Sequence, residues 1–172
     1  FFDGRLSADG TVSCATCHDP DKGFTDQRPT SVGIDRKPGK RNAPTILNAA
    51  FDATQFWDGR AATLEEQAKL PIVNPIEMGR HSPDEVVTAL AAIPEYATAF
   101  RAVFGRPVRY GDVARAIAAY ERTQLAFDSR FDRFLSGDEG ALSAEERRGW
   151  AVFGGKARCA TCHTASRAEP LF

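Results

Sequence analysis

The pentapeptide Cys-Ala-Thr-Cys-His occurs twice in this sequence, at residues 14–18 and 159–163. These two motifs contain all four cysteines of the 172-residue chain. Because no cysteine is left for a disulfide elsewhere, the set is typical of a cofactor framework rather than of a disulfide scaffold. The fold must therefore leave room for a cofactor beside each Cys-x-x-Cys-His motif.

Two cysteines three positions apart on a helical turn project to one side, where each thiol can form a thioether with one vinyl group of a haem. The next residue then points its imidazole at the iron from the same edge, so His18 and His163 are the predicted proximal ligands. The predicted cofactors are two covalently bound haem c groups, attached through Cys14, Cys17, Cys159 and Cys162.

Zinc binding and thiol redox chemistry are the alternatives for these motifs. A zinc site needs two more ligands beside each pair, and His81 is the only further histidine in the chain. A thioredoxin-like redox pair needs a strand followed by a helix, and no segment shows the alternation of a strand. The pattern therefore favours haem over both alternatives.

Covalent haem attachment occurs outside the cytoplasm, so we expect a periplasmic or cell-surface protein. The net charge of −1 provides no basic field for nucleic acid. No run of about 18 apolar residues predicts a transmembrane helix. The chain has no initiator Met, no leader precedes residue 1, and Phe172 follows soon after His163. We therefore expect a mature, processed or fragmentary chain.

The sequence predicts an all-α fold. Residues 1–60 are rich in Gly, Pro, Asp and Thr and predict loops with short helical turns. From residue 63 onward, three capping boxes predict helix starts, each with a Ser or Thr followed three residues later by Glu. They are Thr63 with Glu66, Ser82 with Glu85, and Ser143 with Glu146.

One later segment has a clear helical period. Residues 111–127 place Val113, Ile117 and Tyr120 on one face, which predicts an amphipathic helix. The polar turn at 136–140, Ser-Gly-Asp-Glu-Gly, is the best candidate for a domain boundary.

The ligand on the far side of the first haem decides the chemistry, and the residues alone leave three options. Met78, the only methionine, would give a Met/His pair typical of electron carriers. His81 is a second candidate ligand, although its charged and polar neighbours favour a surface position. The third option is an open or water-filled position, which allows chemistry on an O–O bond.

Four blocks of the sequence resemble the bacterial dihaem cytochrome c peroxidase family, which also contains the methylamine-utilisation enzyme MauG. They are FFDGRLSADGTVSCATCHDPDKGFTD, RNAPTILNAAFDATQFWDGRAATLEEQA, PIVNPIEMG and AIAAYERT. The resemblance implies two cytochrome c-like haem lobes. Residues 1–135 would be the N-terminal lobe, where peroxide reacts. Residues 136–172 would be a linker and the truncated start of the C-terminal electron-transfer lobe.

The resemblance also implies roles for individual residues. Glu77 matches the family's distal carboxylate, which takes a proton from bound peroxide and returns it to the leaving oxygen. Gln67 and Pro71 match residues that line the same distal pocket. Trp57 matches the tryptophan between the haems, an electron relay. Asn42 matches one contributor to an interdomain calcium site, so calcium is a further candidate cofactor.

Each of these residues also has a purely structural interpretation. On spacing alone Glu77 is a solvated carboxylate before a helix, and Gln67 is an amide on a helix surface. A lone tryptophan such as Trp57 is more often a core residue than a relay. The family resemblance shifts all three towards functional roles.

The loop after Pro-Thr-Ser departs from the family pattern. Many dihaem peroxidases have there a distal histidine that must leave the iron before peroxide binds, but this chain has Ile34. Isoleucine cannot ligate iron, so we expect an open or water-bound first haem in its high-spin ferric state. MauG-like members share this open site. The distal ligand of the second haem would lie beyond residue 172.

Three functions follow from these expectations. The leading one is reduction of hydrogen peroxide to water, with electrons delivered by a small cytochrome c or a cupredoxin through the haem at His163. The second is MauG-like oxidation of aromatic residues in a partner protein, which Ile34 favours. The third is a dihaem electron carrier with Met78 on the first iron.

Overall fold

A computed structural model of the chain describes residues 1–163. Within this range it contains seven α-helices and no β-strand, which confirms the all-α prediction. The helices are α1 (Cys14–Cys17), α2 (Leu64–Ile72), α3 (Pro83–Ala91), α4 (Pro94–Phe104), α5 (Tyr110–Glu121), α6 (Arg130–Leu135) and α7 (Ala144–Gly154). Before α2, the chain consists of loops with short 3₁₀ turns, as its Gly- and Pro-rich sequence predicts.

The chain forms two compact units, a first unit from Phe1 to Gln124 and a second unit from Leu125 to Phe172. Residues 164–172 of the second unit lie outside the described residues. The polar turn at 136–140 is the boundary that the sequence suggests. In the structure the division lies earlier, between Gln124 and Leu125, so α6 belongs to the second unit. Two contacts explain this: the Phe131 and Trp150 rings lie 5.0 Å apart, and Arg130 pairs with Glu146 at 2.6 Å.

The three capping residues begin helices as the sequence predicts. The hydroxyls of Thr63, Ser82 and Ser143 each accept the backbone N–H of the Glu three residues later. Only the third forms the reciprocal bond, in which Glu146 accepts the N–H of Ser143 at 2.7 Å. In the other two, the Glu side chain accepts the N–H one residue before the cap. All three devices satisfy backbone donors that a helix start leaves unpaired.

The first unit has one main apolar core, to which the loops and helices α2 to α5 contribute. Helix α5 packs against α2 through a face that differs in part from the predicted one. Val113 and Ile117 are buried as expected, but Tyr120 is only half-buried. Ala114 and Ala118, both 0% exposed, complete the buried face, because small side chains let two helices approach closely.

Within residues 1–163, no single helix is long and apolar enough to cross a membrane. Helices α3 and α4, which meet at a 105° bend, satisfy the length and composition criteria only as a pair.

Candidate functional site

The first Cys-x-x-Cys-His motif forms helix α1 and the residue that ends it. The N–H of His18 donates to the carbonyl of Cys14 at 2.8 Å, which closes the turn. The turn begins at Ser13, whose N–H donates to the Thr16 hydroxyl at 2.9 Å. Both thiols are free, so one short turn presents two cysteines and a histidine.

The imidazole of His18 is held by two backbone carbonyls, one from the loop that follows the motif and one from a distant loop. Its Nδ1 lies 3.0 Å from the carbonyl oxygen of Pro44 and 3.2 Å from that of Phe24. Because carbonyl oxygens can only accept, Nδ1 carries the proton and Nε2 keeps its lone pair. Burial also lowers the pKa of His18, which favours the neutral imidazole that a metal requires.

The two cysteines of this turn are half-buried. Burial raises the pKa of Cys14 to about 11, and it also raises the pKa of Cys17. The chemistry of this set fits a c-type haem, since it provides two neutral thiols for thioethers and one neutral nitrogen for the iron. Residues 1–163 contain no cluster of three His, Cys, Asp or Glu side chains suited to a metal ion.

The second motif has the same backbone closure in a different setting. The N–H of His163 donates to the carbonyl of Cys159 at 2.9 Å, but the turn is a 3₁₀ turn, Cys159–Thr161. Cys162 and His163 are exposed. The His163 ring lies 6.5 Å from that of Phe153, between ring centroids.

Phe153 also lines an open apolar groove of the second unit. The groove has a volume of about 330 Å³ and is lined by Phe131, Leu142, Glu146, Gly149, Trp150 and Phe153. An exposed motif beside an open apolar groove contrasts with the enclosed first motif.

Glu77 lies in a tight loop directly after α2. The Asn74 side chain organises this loop, since its Nδ2 donates to Glu77 Oε1 at 2.8 Å and its Oδ1 accepts the N–H of Ile76 at 3.0 Å. The Asn74 carbonyl accepts the N–H groups of Glu77 and Gly79 at 3.1 and 2.9 Å. The carboxylate is therefore held in a defined orientation.

The electrostatic surroundings of Glu77 suit proton transfer. Burial raises the pKa of Glu77, and the nearby Arg60 guanidinium opposes this shift. Arg60 is itself fixed, since it stacks 3.4 Å above the Phe56 ring centre and pairs with Asp58 at 2.7 Å. Burial is the main cause of the raised pKa of Cys17, and the negative charge of Glu77 is a smaller contribution to it.

Gln67 and Pro71 lie one turn apart on α2, and both are half-buried. The Pro71 carbonyl accepts the N–H groups of Asn74 and Met78, each at 3.2 Å. The structure thus connects Pro71 directly to the Glu77 loop. Gln67 lies four residues before Pro71, so the two side chains lie on the same face of α2, one turn apart.

Ile34 packs against the segment that carries Glu77. Its N–H donates to the Glu77 carbonyl at 2.9 Å, and its side chain is 7% exposed and covers Gly79. The preceding Gly33 is required, because a Cβ there would lie 2.0 Å from the carbonyl oxygen of Ile76. Ile34 is therefore a packed residue joined to the Glu77 loop.

Trp57 and Asn42 contact each other. The Trp57 indole N–H donates to the Asn42 carbonyl at 2.9 Å, and the Asn42 amide donates to the Arg28 carbonyl at 2.6 Å. Trp57 is 64% exposed.

Met78 and His81 differ in their surroundings. Met78 is 3% exposed and belongs to the apolar core, whereas His81 is exposed, as its neighbours suggested.

Sequence reasoning missed several contributors to this site. Asn74 could have been found, because its three-residue spacing from Glu77 is typical of an Asn side chain that orders a turn. The Phe24 and Pro44 carbonyls and the Arg60 charge carried no local signal, since each reaches the site only through the fold.

Comparison with known proteins identifies relatives across nearly the whole chain. A family model described as di-haem cytochrome c peroxidase matches residues 1–140. The chain is 48% identical to cytochrome c551 peroxidase of Pseudomonas aeruginosa over 166 residues, 95% of this chain and 47% of that protein. It is 46% identical to the methylamine utilization protein MauG of Methylorubrum extorquens over 169 residues, 97% of this chain and 48% of that protein.

Solved structures give the same result. A MauG-like protein associated with microbial copper homeostasis superposes with a TM-score of 0.85 at 37% identity, covering 96% of this chain and 49% of that one. The diheme peroxidase BthA of Burkholderia thailandensis superposes with a TM-score of 0.87 at 28% identity, covering 99% and 48%. The chain thus spans about half the length of these relatives.

Proposed function

This chain belongs to the di-haem cytochrome c peroxidase family, and from that premise we propose that it forms part of an enzyme that reduces hydrogen peroxide to water. Two haem c groups would be held by Cys14, Cys17 and His18 and by Cys159, Cys162 and His163. The bound haem would supply the redox chemistry that cleaves the O–O bond. Covalent haem attachment also assigns the protein to the periplasm.

One observation carries the proposal. The first unit holds a histidine whose Nδ1 is bonded to two carbonyls, which leaves Nε2 for iron, and a half-buried carboxylate, Glu77, with a raised pKa. A carboxyl group whose pKa lies closer to neutral can accept a proton from hydrogen peroxide and then return it to the leaving oxygen. Asn74 orients Glu77 for this transfer, and Arg60 limits how far its pKa rises.

The remaining family residues fill supporting roles in this proposal. Gln67 and Pro71 line the pocket that admits peroxide. Trp57, fixed by the Asn42 carbonyl, passes electrons between the two haems. Electrons arrive from a small cytochrome c or a cupredoxin through the haem at His163. A calcium ion near Asn42 is part of the same proposal.

The test replaces the proton-transfer group and keeps its shape. Glu77→Gln should slow the absorbance change that follows peroxide addition by about 10²–10⁴-fold, because the amide cannot take up the proton. The matched control is Glu95→Gln, which removes an exposed carboxylate on α4. Equal rates in Glu77→Gln and the unsubstituted protein would overturn the assignment.

A second function is favoured by Ile34. Because this residue is buried against Gly79 and cannot ligate iron, the first haem needs no activation step, as in MauG-like oxidation of a partner protein's aromatic residues. The resting protein should then show a high-spin ferric signal from one haem by electron paramagnetic resonance. Ile34→His should convert that signal to low spin if the new imidazole reaches the iron.

Steady-state kinetics separates the two functions. Rapid consumption of peroxide with reduced cytochrome c supports the peroxidase, and its absence supports oxidation of a partner protein. Low-spin signals from both haems in the unsubstituted protein would contradict the open site and support an electron carrier.

A further inference from the structure

An aromatic cluster lies beside the first motif, away from the residues assigned to peroxide chemistry. The Tyr120 ring lies 4.6 Å from the Phe1 ring and 5.5 Å from the Phe2 ring, between centroids. Phe1 in turn lies 6.2 Å from Phe24. Phe24 is 7% exposed and Phe2 is 57% exposed, so the cluster extends from the interior of the first unit to its surface.

The inner end of this cluster is bonded to the candidate haem-binding turn. The Phe24 carbonyl accepts the Nδ1–H of His18, and the Phe1 carbonyl accepts the N–H of Ala15 at 3.3 Å. Nδ1 is the ring nitrogen that iron does not use in this arrangement. The backbone of Phe24 thus joins the cluster to the imidazole at Nδ1, while Nε2 takes no part in this bond.

Tyr120 is the one ring in this cluster that oxidises readily. Phenylalanine has no dissociable ring proton, whereas a phenol can lose an electron together with its O–H proton. The hydroxyl of Tyr120 has no hydrogen-bond partner within residues 1–163. The side chain is half-buried, so water can take up the proton.

The other two tyrosines lack this connection to His18. Tyr96 donates its hydroxyl to Asp3 at 2.9 Å, and its ring partner is Phe100 at 6.5 Å. Tyr110 donates to the Lys69 carbonyl. Neither has a ring contact with Phe1 or Phe24 within the described part of the chain, so they serve as references for Tyr120.

We propose that Tyr120 is a redox-active side chain that supplies one electron to the haem at His18 after hydrogen peroxide has oxidised that haem. The phenolic O–H bond breaks, the electron reduces the haem by one oxidising equivalent, and the proton passes to water. A neutral tyrosyl radical remains at Tyr120. This inference rests on the proposed function, because hydrogen peroxide acting through that haem is the oxidant.

Such a step would matter when no electron donor is bound. Without a donor, the oxidising equivalent would be taken up by side chains of this chain, and Tyr120 is the half-buried, readily oxidised ring of the cluster. Tyr120 would thus spare residues near the iron.

The experiment freezes the haem-loaded protein shortly after peroxide addition in the absence of reductant and records its electron paramagnetic resonance spectrum. We expect a tyrosyl signal that narrows when the protein carries ring-deuterated tyrosine. Tyr120→Phe should lose this signal, whereas Tyr96→Phe, the matched control, should retain it. A signal lost in Tyr96→Phe but kept in Tyr120→Phe would overturn the inference, as would a tryptophan radical instead of a tyrosyl one.

Two further readouts complete the test. Absorbance spectra report the reaction of the haem with peroxide. If the absorbance does not change on peroxide addition, both the proposed function and this inference are wrong. If the absorbance changes but no tyrosyl radical forms, only this inference is wrong. Mass spectrometry of the unsubstituted protein after repeated peroxide additions needs no variant. Added oxygen or a cross-link at Tyr120 supports the inference, and modification confined to Tyr96 or Tyr110 overturns it.

Discussion

The two copies of one pentapeptide show what a short motif does and does not determine. Both close the same backbone bond, from the histidine N–H to the carbonyl of the first cysteine, at 2.8 and 2.9 Å. In the first copy, the carbonyls of Phe24 and Pro44 fix a half-buried imidazole, whereas the second imidazole is exposed beside an open groove. The same backbone closure therefore occurs with the histidine in two different surroundings.

Replacing His18 or His163 should give the largest effects on the reaction with peroxide, and the two effects should differ most. His18→Ala should lower the rate of the peroxide-induced absorbance change by more than about 10²-fold, since even outer partners of a metal ligand are worth about 10–100-fold. His163→Ala should preserve this first reaction and lower steady-state turnover with a reduced donor, because the proposed function assigns electron delivery to the haem at His163. Stopped-flow absorbance measures the first effect, and donor oxidation measures the second.

Haem content is the control for this pair of variants. Both variants keep all four cysteines, so the haemochrome spectrum should report two haems per chain in each. If His163→Ala abolishes the peroxide reaction as fully as His18→Ala, the assignment of chemistry to the first motif is wrong.

Glu121 in the first unit and Glu146 in the second unit should respond to pH in opposite directions. Glu121, on α5, is 5% exposed with an unpaired Oε2, and burial raises its pKa from 4.5 to about 7. Glu146, on α7, is exposed, and the N–H of Ser143 together with the Arg130 guanidinium lowers its pKa to about 2. A raised pKa means that the folded state holds the proton more tightly than the unfolded state does.

For Glu121, stability is therefore greatest below about pH 4.5 and falls as pH rises through about 7. Glu121→Gln removes this dependence, so its stability relative to the unsubstituted protein should increase by about 3 kcal/mol between about pH 4 and pH 8. Glu146 contributes stability above 4.5 that is lost as pH falls through about 2, so Glu146→Gln should destabilise near neutral pH. Urea unfolding at several pH values measures both effects, and slopes of the same sign would contradict the comparison.

The elements that local chemistry determines were predictable from the sequence. Thr63, Ser82 and Ser143 begin helices because a hydroxyl acceptor and a Glu three residues later satisfy local backbone donors. The period of α5 also located its buried face, although Tyr120 was placed on it and Ala118 was not. A hydrophobicity pattern favours large side chains, whereas close helix packing favours small ones.

The features that come from distant parts of the chain were not predictable from the residues alone. The two carbonyls that orient His18 come from positions 6 and 26 residues away, and any residue type has a carbonyl. The resemblance to known peroxidases supplied Glu77 and Ile34, but not the backbone bond between them. The exposure of Trp57 and the unpaired oxygen of Glu121 likewise depend on which surfaces the fold brings together.

The smallest expected effect isolates the turn itself, through the threonine that both pentapeptides share. In the first copy, Thr16 accepts the N–H of Ser13, and in the second copy Thr161 donates to the carbonyl of Arg158. Thr16→Val leaves a backbone donor without its acceptor and should cost about 0.5–1 kcal/mol, reduced by the access of water to this exposed position. Thr161→Val should cost less, because a carbonyl oxygen has a second lone pair that water can use. Urea unfolding of the two haem-loaded variants measures the difference. A larger loss in Thr161→Val would mean that the second turn depends on its side chains more than the first does, and the idea that the motif sets both turns alike would have to be abandoned.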